Sequence, residues 1–154
     1  MNFKIDKVKN YEQAKELIFE MELNSGRIPK KYKDLYKKTF YNYFNENFIN
    51  KNGILFGVFF EDNLLGIIGY VENYIEYLYV LPEYQKIGIG KSLLFTALEN
   101  LKNYECVILN STEESYEFYK NNGFIKDGDI KRFNNFEVYP MKYISTKNKK
   151  MVKN

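Results

Sequence analysis

The chain has 154 residues and a mass of 18.5 kDa, enough for one domain with a closed core and too little for two of ordinary size. It contains no histidine and a single cysteine, Cys106. This excludes Ser/His/Asp and Cys/His nucleophile pairs, imidazole- or thiolate-based zinc sites and any internal disulfide. The net charge of +3 is more than supplied by Lys147, Lys149, Lys150 and Lys153, so residues 1–144 are one unit negative and the segment 145–154 reads as a solvated basic end, not a nucleic-acid arm.

The first elements follow from periodicity. Residues 3–8 alternate apolar and charged side chains, as a half-buried strand does. Asn10 with Gln13 three positions on has the form of a capping box, and Ala14, Leu17, Ile18 and Met21 follow at helical spacing. Asn24-Ser25-Gly26 breaks that helix. From about Pro29 a second helix carries Tyr32, Leu35, Tyr36, Thr39, Phe40, Tyr43 and Phe44 along one side. Tyr32, Tyr36, Tyr43 and Phe44 are expected mainly as core, with an aromatic pocket as the alternative.

Asn52-Gly53 precedes an apolar strand at residues 54–60, a turn at Glu61-Asp62-Asn63, a strand at 64–71, and a strand at 74–80 that Leu81-Pro82 ends. Leu93, Leu94, Ala97, Leu98 and Leu101 form the buried stripe of a helix over about 88–103. A short strand at 107–109, a helix at 113–121 stopped by Asn122-Gly123, and two last strands turning at residues 133–136 complete the chain. The order β-α-α-β-β-β-α-β-α-β-β describes a mixed α/β fold with a mainly antiparallel central sheet flanked by helices. Residues 1–144 are read as a single domain. With no signal segment and no apolar run near the ~20 residues of a membrane span, the expected location is cytoplasmic and no membrane partner is expected.

Chemistry concentrates at Gln85-Lys86-Ile87-Gly88-Ile89-Gly90-Lys91, a glycine-bearing turn that opens a helix directly after a strand. Glycines let the main chain approach a ligand, and the free N–H groups of a helix start suit a phosphate or pyrophosphate. Tight helix packing is the competing reason for the glycines. Gly88 and Gly90 stand too close for a Walker loop, and the third glycine of a dinucleotide fingerprint is missing.

Gln85-x-x-Gly88-x-Gly90 resembles the Gln/Arg-x-x-Gly-x-Gly/Ala signature of the GCN5-related N-acetyltransferase (GNAT) family. Leu78-Tyr79-Val80-Leu81-Pro82-Glu83-Tyr84 is similar to that family's fourth strand and its exit, and Phe118-Tyr119-Lys120-Asn121-Asn122-Gly123-Phe124 to its late Tyr-x-x-x-Gly-Phe element. The resemblance implies the GNAT fold and acetyl-CoA as cosubstrate. It places the pyrophosphate on main-chain groups of Lys86, Ile87, Gly88, Ile89, Gly90 and Lys91, beside Gln85, with the pantetheine arm along Leu78, Tyr79 and Val80. That arm would pair with main-chain groups left free where the fourth and fifth strands splay. It further implies Tyr119 as the group that protonates the departing thiolate, and direct transfer to an amine without a metal. Where family members often carry Asn seven residues before that tyrosine, this chain has Thr112, with Asn110 two residues earlier, so either could touch the arm.

The absence of histidine leaves the ammonium proton of the acceptor to a carboxylate, tyrosinate or water. Glu76, on the same strand face as Leu78 and Val80, is the first candidate base and Glu72 the second. A main-chain N–H near Tyr79 or Val80 is the expected oxyanion donor. Cys106 is expected to pack and not to carry an acyl group. The acceptor, a primary amine of a small molecule, peptide or protein, is the least defined partner. Glu20, Glu22 and Asp34 would attract an amine or be ordinary surface charges. A non-catalytic acyl-CoA-binding module of the same fold is the alternative function; nucleic acid is not an expected partner, and a homodimer stays open.

Overall fold

In the computed structural model, residues 2–134 and 136–145 are described. The lysine tail expected beyond residue 145 and Asn135 of the last turn lie outside them. The architecture is mixed α/β, with two compact units. The first comprises the described residues up to Glu72 together with Glu76–Thr96; the second comprises Asn73–Ile75 and the described residues from Ala97 onward.

The first unit opens with β1 (Lys4–Lys7) and α1 (Tyr11–Asn24). Asn10 caps α1 as expected, its Oδ1 accepting from Glu12 and Gln13 N–H at 3.1 and 3.2 Å. The reciprocal half of the capping box does not form there, because the Gln13 side chain donates instead to the Asp62 carbonyl at 3.5 Å. β1 departs from the half-buried expectation: all four residues are exposed, since its pairing is with β2 (Ile54–Phe60) and burial resumes only at Val8.

The second expected helix divides in three. A 3-10 turn at Lys30–Tyr32 leads into α2 (Lys33–Phe44), and a π-turn follows at Asn45–Ile49. Phe40, Phe44 and Phe48 repeat every four residues, which overshoots the 3.6-residue turn and would carry Phe48 off the buried side. The wider turn, marked by Asn50 N–H on the Asn45 carbonyl at 2.9 Å, keeps Phe48 stacked on Phe44 with centroids 5.1 Å apart. Only part of the predicted stripe is core. Phe40 and Phe44 are buried and Tyr36 is half-buried, whereas Tyr32, Leu35 and Tyr43 are exposed.

β2 pairs antiparallel with β3 (Asn63–Val71) with a bulge at Val58/Phe59, and β3 lies beside β4 (Tyr74–Val80). Ala14, Ile18, Phe19, Phe44, Phe48, Leu55, Ile67 and Tyr77 belong to the core of this unit. α3 (Ile89–Asn100) begins here and its last turn lies in the second unit. It ends before the expected residue 103, where the Leu101 N–H is shared between Ala97 and Leu98 carbonyls at 2.9 and 3.2 Å. Every residue of the predicted α3 stripe is buried.

In the second unit, β5 (Cys106–Ser111) pairs in parallel with the start of β4 at Tyr74↔Ile108 and antiparallel with β8 (Glu137–Ile144). α4 (Glu113–Asn121) has the predicted bounds. The single strand expected after Phe124 is instead two short pieces, β6 (Ile125–Lys126) and β7 (Lys131–Arg132), both on β8. β6 stops opposite Met141, next to Pro140, which has no N–H to continue the ladder. Among the described residues no helix is long and apolar enough to cross a membrane.

Candidate active site

The first unit holds the glycine turn. Lys86 and Gly88 both adopt left-handed backbone, φ 65° and 92°, separated by Ile87. α3 starts at once, its first ladder bond running from Ser92 N–H to the Gly88 carbonyl at 3.0 Å. The N–H groups of Ile89, Gly90 and Lys91 therefore have no partner inside the helix and point outward at its positive end. A Cβ built on Gly88 meets nothing within 4 Å, so packing does not dictate this glycine; its φ does, and the space above it is open. Gly90 is half-buried, Ile89 is buried and Ile87 exposed.

Gln85 is occupied locally: its Nε2 donates to the Val80 carbonyl at 2.8 Å and ties the turn to the end of β4. Lys91 Nζ lies 5.5 Å from the Phe95 ring, at the helix surface. Both Lys86 and Lys91 are exposed.

On β4, Glu76, Leu78, Tyr79 and Val80 are half-buried. Glu76 accepts a hydrogen bond from Tyr43 Oη at 3.0 Å. Glu72 stands apart from this arrangement, exposed in the β3–β4 turn with φ 51°. Tyr79 sends its hydroxyl to Glu22 Oε1, and Glu22 also pairs with Arg27 at 3.3 Å. Burial, reinforced by the Glu22 carboxylate, pushes the Tyr79 phenol well above its ordinary value. The Glu22 side chain is 19% exposed and is held by Tyr79 and Arg27, which makes it more enclosed than a free surface charge. These pairs between helix and strand were not visible in the sequence, because they depend on how α1 and α2 lie on the sheet.

The second unit holds Asn110, Thr112, Cys106 and Tyr119. Thr112 caps α4, its Oγ1 accepting from Ser115 N–H at 3.2 Å, so its side chain has a structural occupation. Asn110 is exposed on β5 and its Nδ2 donates to Tyr74 Oη at 3.2 Å. Cys106 is half-buried, and its carbonyl accepts from Asn73 Nδ2 at 2.9 Å.

The Tyr119-to-Phe124 element is a complete Schellman stop. Phe124 N–H bonds the Tyr119 carbonyl at 3.0 Å, Gly123 N–H bonds the Lys120 carbonyl at 3.2 Å, and Gly123 has φ 95°. The Phe124 and Tyr119 rings close the motif edge to face at 5.5 Å. Tyr119 is 8% exposed, and burial raises its phenol above the ordinary value, which extends the protonated form further into alkaline pH.

The mixed α/β architecture, with its mostly antiparallel sheet flanked by helices, matches that of solved GNAT acetyltransferases. The sequence matches the family profile of the acetyltransferase (GNAT) domain over residues 10–145. The chain belongs to the GNAT family. It is similar in fold to the PaiA N-acetyltransferase of Thermoplasma acidophilum, solved in complex with coenzyme A, with 22% identity over 94% of this chain and 99% of that one and a TM-score of 0.72. A GNAT-family acetyltransferase of Staphylococcus aureus Mu50 has 21% identity, coverage of 93% and 99%, and a TM-score of 0.68. A chimera of the spermidine N-acetyltransferase SpeG of Vibrio cholerae with hSSAT has 17% identity, coverage of 97% and 99%, and a TM-score of 0.63.

Proposed function

We propose that the chain is an N-acetyltransferase whose residues 1–144 act as one catalytic domain, moving the acetyl group of acetyl-CoA directly to a primary amine of a small molecule, peptide or protein. The observation that carries this reading is the turn at residues 86–91, where two left-handed residues, an outward-facing helix start and open space above Gly88 fit a pyrophosphate. Gln85 fixes the turn, Lys86 and Lys91 add positive charge, and main-chain groups of Leu78, Tyr79 and Val80 line the path of the pantetheine arm. Asn110, with its side chain exposed, is favoured over the capping Thr112 as the second contact to that arm. Acetyl-CoA supplies an activated thioester carbon.

The acceptor arrives as an ammonium, with an ordinary pKa of about 10.4, and must lose a proton before attack. Glu76, half-buried and held by Tyr43, is the base we favour over the exposed Glu72. Attack forms the N–C bond, and a main-chain N–H at Tyr79 or Val80 meets the developing oxyanion. The C–S bond then breaks as Tyr119 gives its proton to the departing sulfur, and the nitrogen gives up its second proton, so one proton is released overall. Because the phenol lies above a thiol in pKa and burial raises it further, its proton passes to the sulfur in step with C–S cleavage and not to a free thiolate formed beforehand.

The test is calorimetric titration with acetyl-CoA followed by a thiol-release screen over alkylamines, polyamines, aminoacyl compounds and peptides. Polyamines belong in it because of the acceptor named for the SpeG chimera. Acetyl-CoA binding with acceptor-dependent thiol release is expected. Binding with no release across the whole panel would leave the non-catalytic acyl-CoA-binding module as the function.

A further inference from the structure

Among the described residues, the carboxylates that are half-buried and not exposed are Glu22, Glu76 and Glu137. An arginine holds two of them: Arg27 pairs with Glu22 at 3.3 Å and Arg132 with Glu137 at 3.0 Å. Glu76 has no lysine or arginine within ion-pair distance among those residues, in a chain with 23 basic side chains. Its partner is a phenol, Tyr43 Oη, which donates to Oε1 at 3.0 Å.

That choice of partner has a chemical consequence. A guanidinium or ammonium beside Glu76 would cancel its charge as well as fix it; a phenol fixes the carboxylate and brings no charge, so the attraction for an incoming cation is undiminished. Packing does not account for the tyrosine, because its side chain is 47% exposed. The main chain at this point is itself held, the Tyr43 carbonyl accepting from Asn47 Nδ2 in the π-turn at 3.2 Å. The Tyr43–Glu76 bond lies at the surface, so an amine reaches it from solvent without any opening of the core.

We propose that Tyr43 is a positioning residue that holds Oε1 of Glu76 and thereby presents Oε2, with its charge uncompensated, to the ammonium of the acceptor. The proton passes from the ammonium nitrogen to Oε2, leaving a neutral amine and a Glu76 carboxylic acid that returns the proton to water. Without the phenol the Glu76 side chain is free to rotate among its staggered torsions, and Oε2 is spread over several positions. The proposal rests on the reading of Glu76 as the base of an acetyltransferase. It adds the residue that sets the geometry of that base and the reason this residue is neutral.

The experiment compares wild type, Tyr43→Phe, Glu76→Gln and the double variant, using protein labelled with carbon-13 at the glutamate carboxyls and hexylamine as acceptor. The Glu76 carboxyl resonance, identified by its loss in Glu76→Gln, is expected to move in Tyr43→Phe, with melting temperature and acetyl-CoA affinity as in wild type. In thiol release Tyr43→Phe should lower kcat by about tenfold, the scale of one hydrogen bond to a charged group, with the KM for acetyl-CoA unchanged. Once Glu76 is replaced, losing the phenol should cost nothing further. An unmoved resonance would overturn the proposal, as would a wild-type kcat in Tyr43→Phe or a loss that adds in full to that of Glu76→Gln. Failure of the underlying readings looks different. Glu76→Gln as active as wild type removes the base, and this role with it, but leaves a transferase; a wild type that releases no thiol with hexylamine or any other amine, while the resonance still moves in Tyr43→Phe, removes the transferase and this role together.

Discussion

Gly88 in the first unit and Gly123 in the second adopt nearly the same left-handed backbone, φ 92° and 95°, and each sits at the end of a helix. Their surroundings differ. A Cβ on Gly123 would stand 3.0 Å from the Tyr143 ring, whereas one on Gly88 meets nothing within 4 Å. Both glycines are needed for conformation, but only at Gly123 does the protein itself fill the space that the missing side chain leaves. At the start of α3 no protein atom lies within 4 Å of that position, beside the unbonded N–H groups of the helix start; at the stop of α4 the space is used for packing. Two glycines that look alike in a motif thus have separable purposes, and substitutions can separate them.

Tyr119→Phe should give the largest effect on function. The Tyr119 carbonyl that accepts from Phe124 and the ring that meets Phe124 both survive this change, so the helix stop stays whole and only the hydroxyl is lost. A general acid contributes on the order of 100-fold or more, and kcat is expected to fall by about 100-fold with melting temperature and acetyl-CoA affinity unchanged. Because burial raises the phenol above its ordinary value, wild-type enzyme should keep this acid protonated as pH climbs to about 10, where a free tyrosine is half-ionised. A steady-state rate profile across alkaline pH checks the sign: a loss attributable to Tyr119 well below pH 10 would contradict it.

Gly123→Ala comes next. Left-handed strain of about 1–2 kcal/mol combines with crowding against Tyr143, for a total of about 2–3 kcal/mol. Urea unfolding should show that loss, and acetyl-CoA affinity at the folded baseline should be unaffected. A loss no greater than that of Gly88→Ala would erase the distinction drawn between the two sites.

Much of this was legible from the chain, and the parts that were share a cause. Ile54–Phe60, Tyr74–Val80 and Glu113–Asn121 appear where apolar patterning and turn residues put them, and the α3 stripe is buried throughout. Those signals are local. The Tyr119-to-Phe124 element was readable for the same reason, since a Schellman stop is specified within six residues. What escaped were relations between elements. Leu35 and Tyr43 follow the helical period yet lie outside the core, because only the side of α2 that carries Phe40 and Phe44 is covered. Glu22 joins Tyr79, and Glu76 joins Tyr43, across 57 and 33 residues of sequence, through a helix–strand register that no local pattern encodes. Residues 3–8 alternate well enough for a buried face, but an edge strand has only one neighbour, and here nothing covers Lys4–Lys7.

Gly88→Ala should be milder for the fold than Gly123→Ala. The methyl meets no protein atom, so the cost is the left-handed strain alone, about 1 kcal/mol. Its effect on binding should exceed its effect on stability, because the methyl enters the space over the turn and displaces a pyrophosphate from N–H groups that need close approach. Calorimetric titration should show acetyl-CoA affinity reduced by at least about tenfold, equivalent to roughly 1.4 kcal/mol, in a protein that has lost only about 1 kcal/mol of stability. The combination matters more than either number. A destabilised variant with unchanged affinity would mean that Gly88 serves only to turn the chain into α3, as Gly123 serves only to turn it out of α4. An affinity loss without matching destabilisation would mean that the open space beside Gly88 is the binding surface.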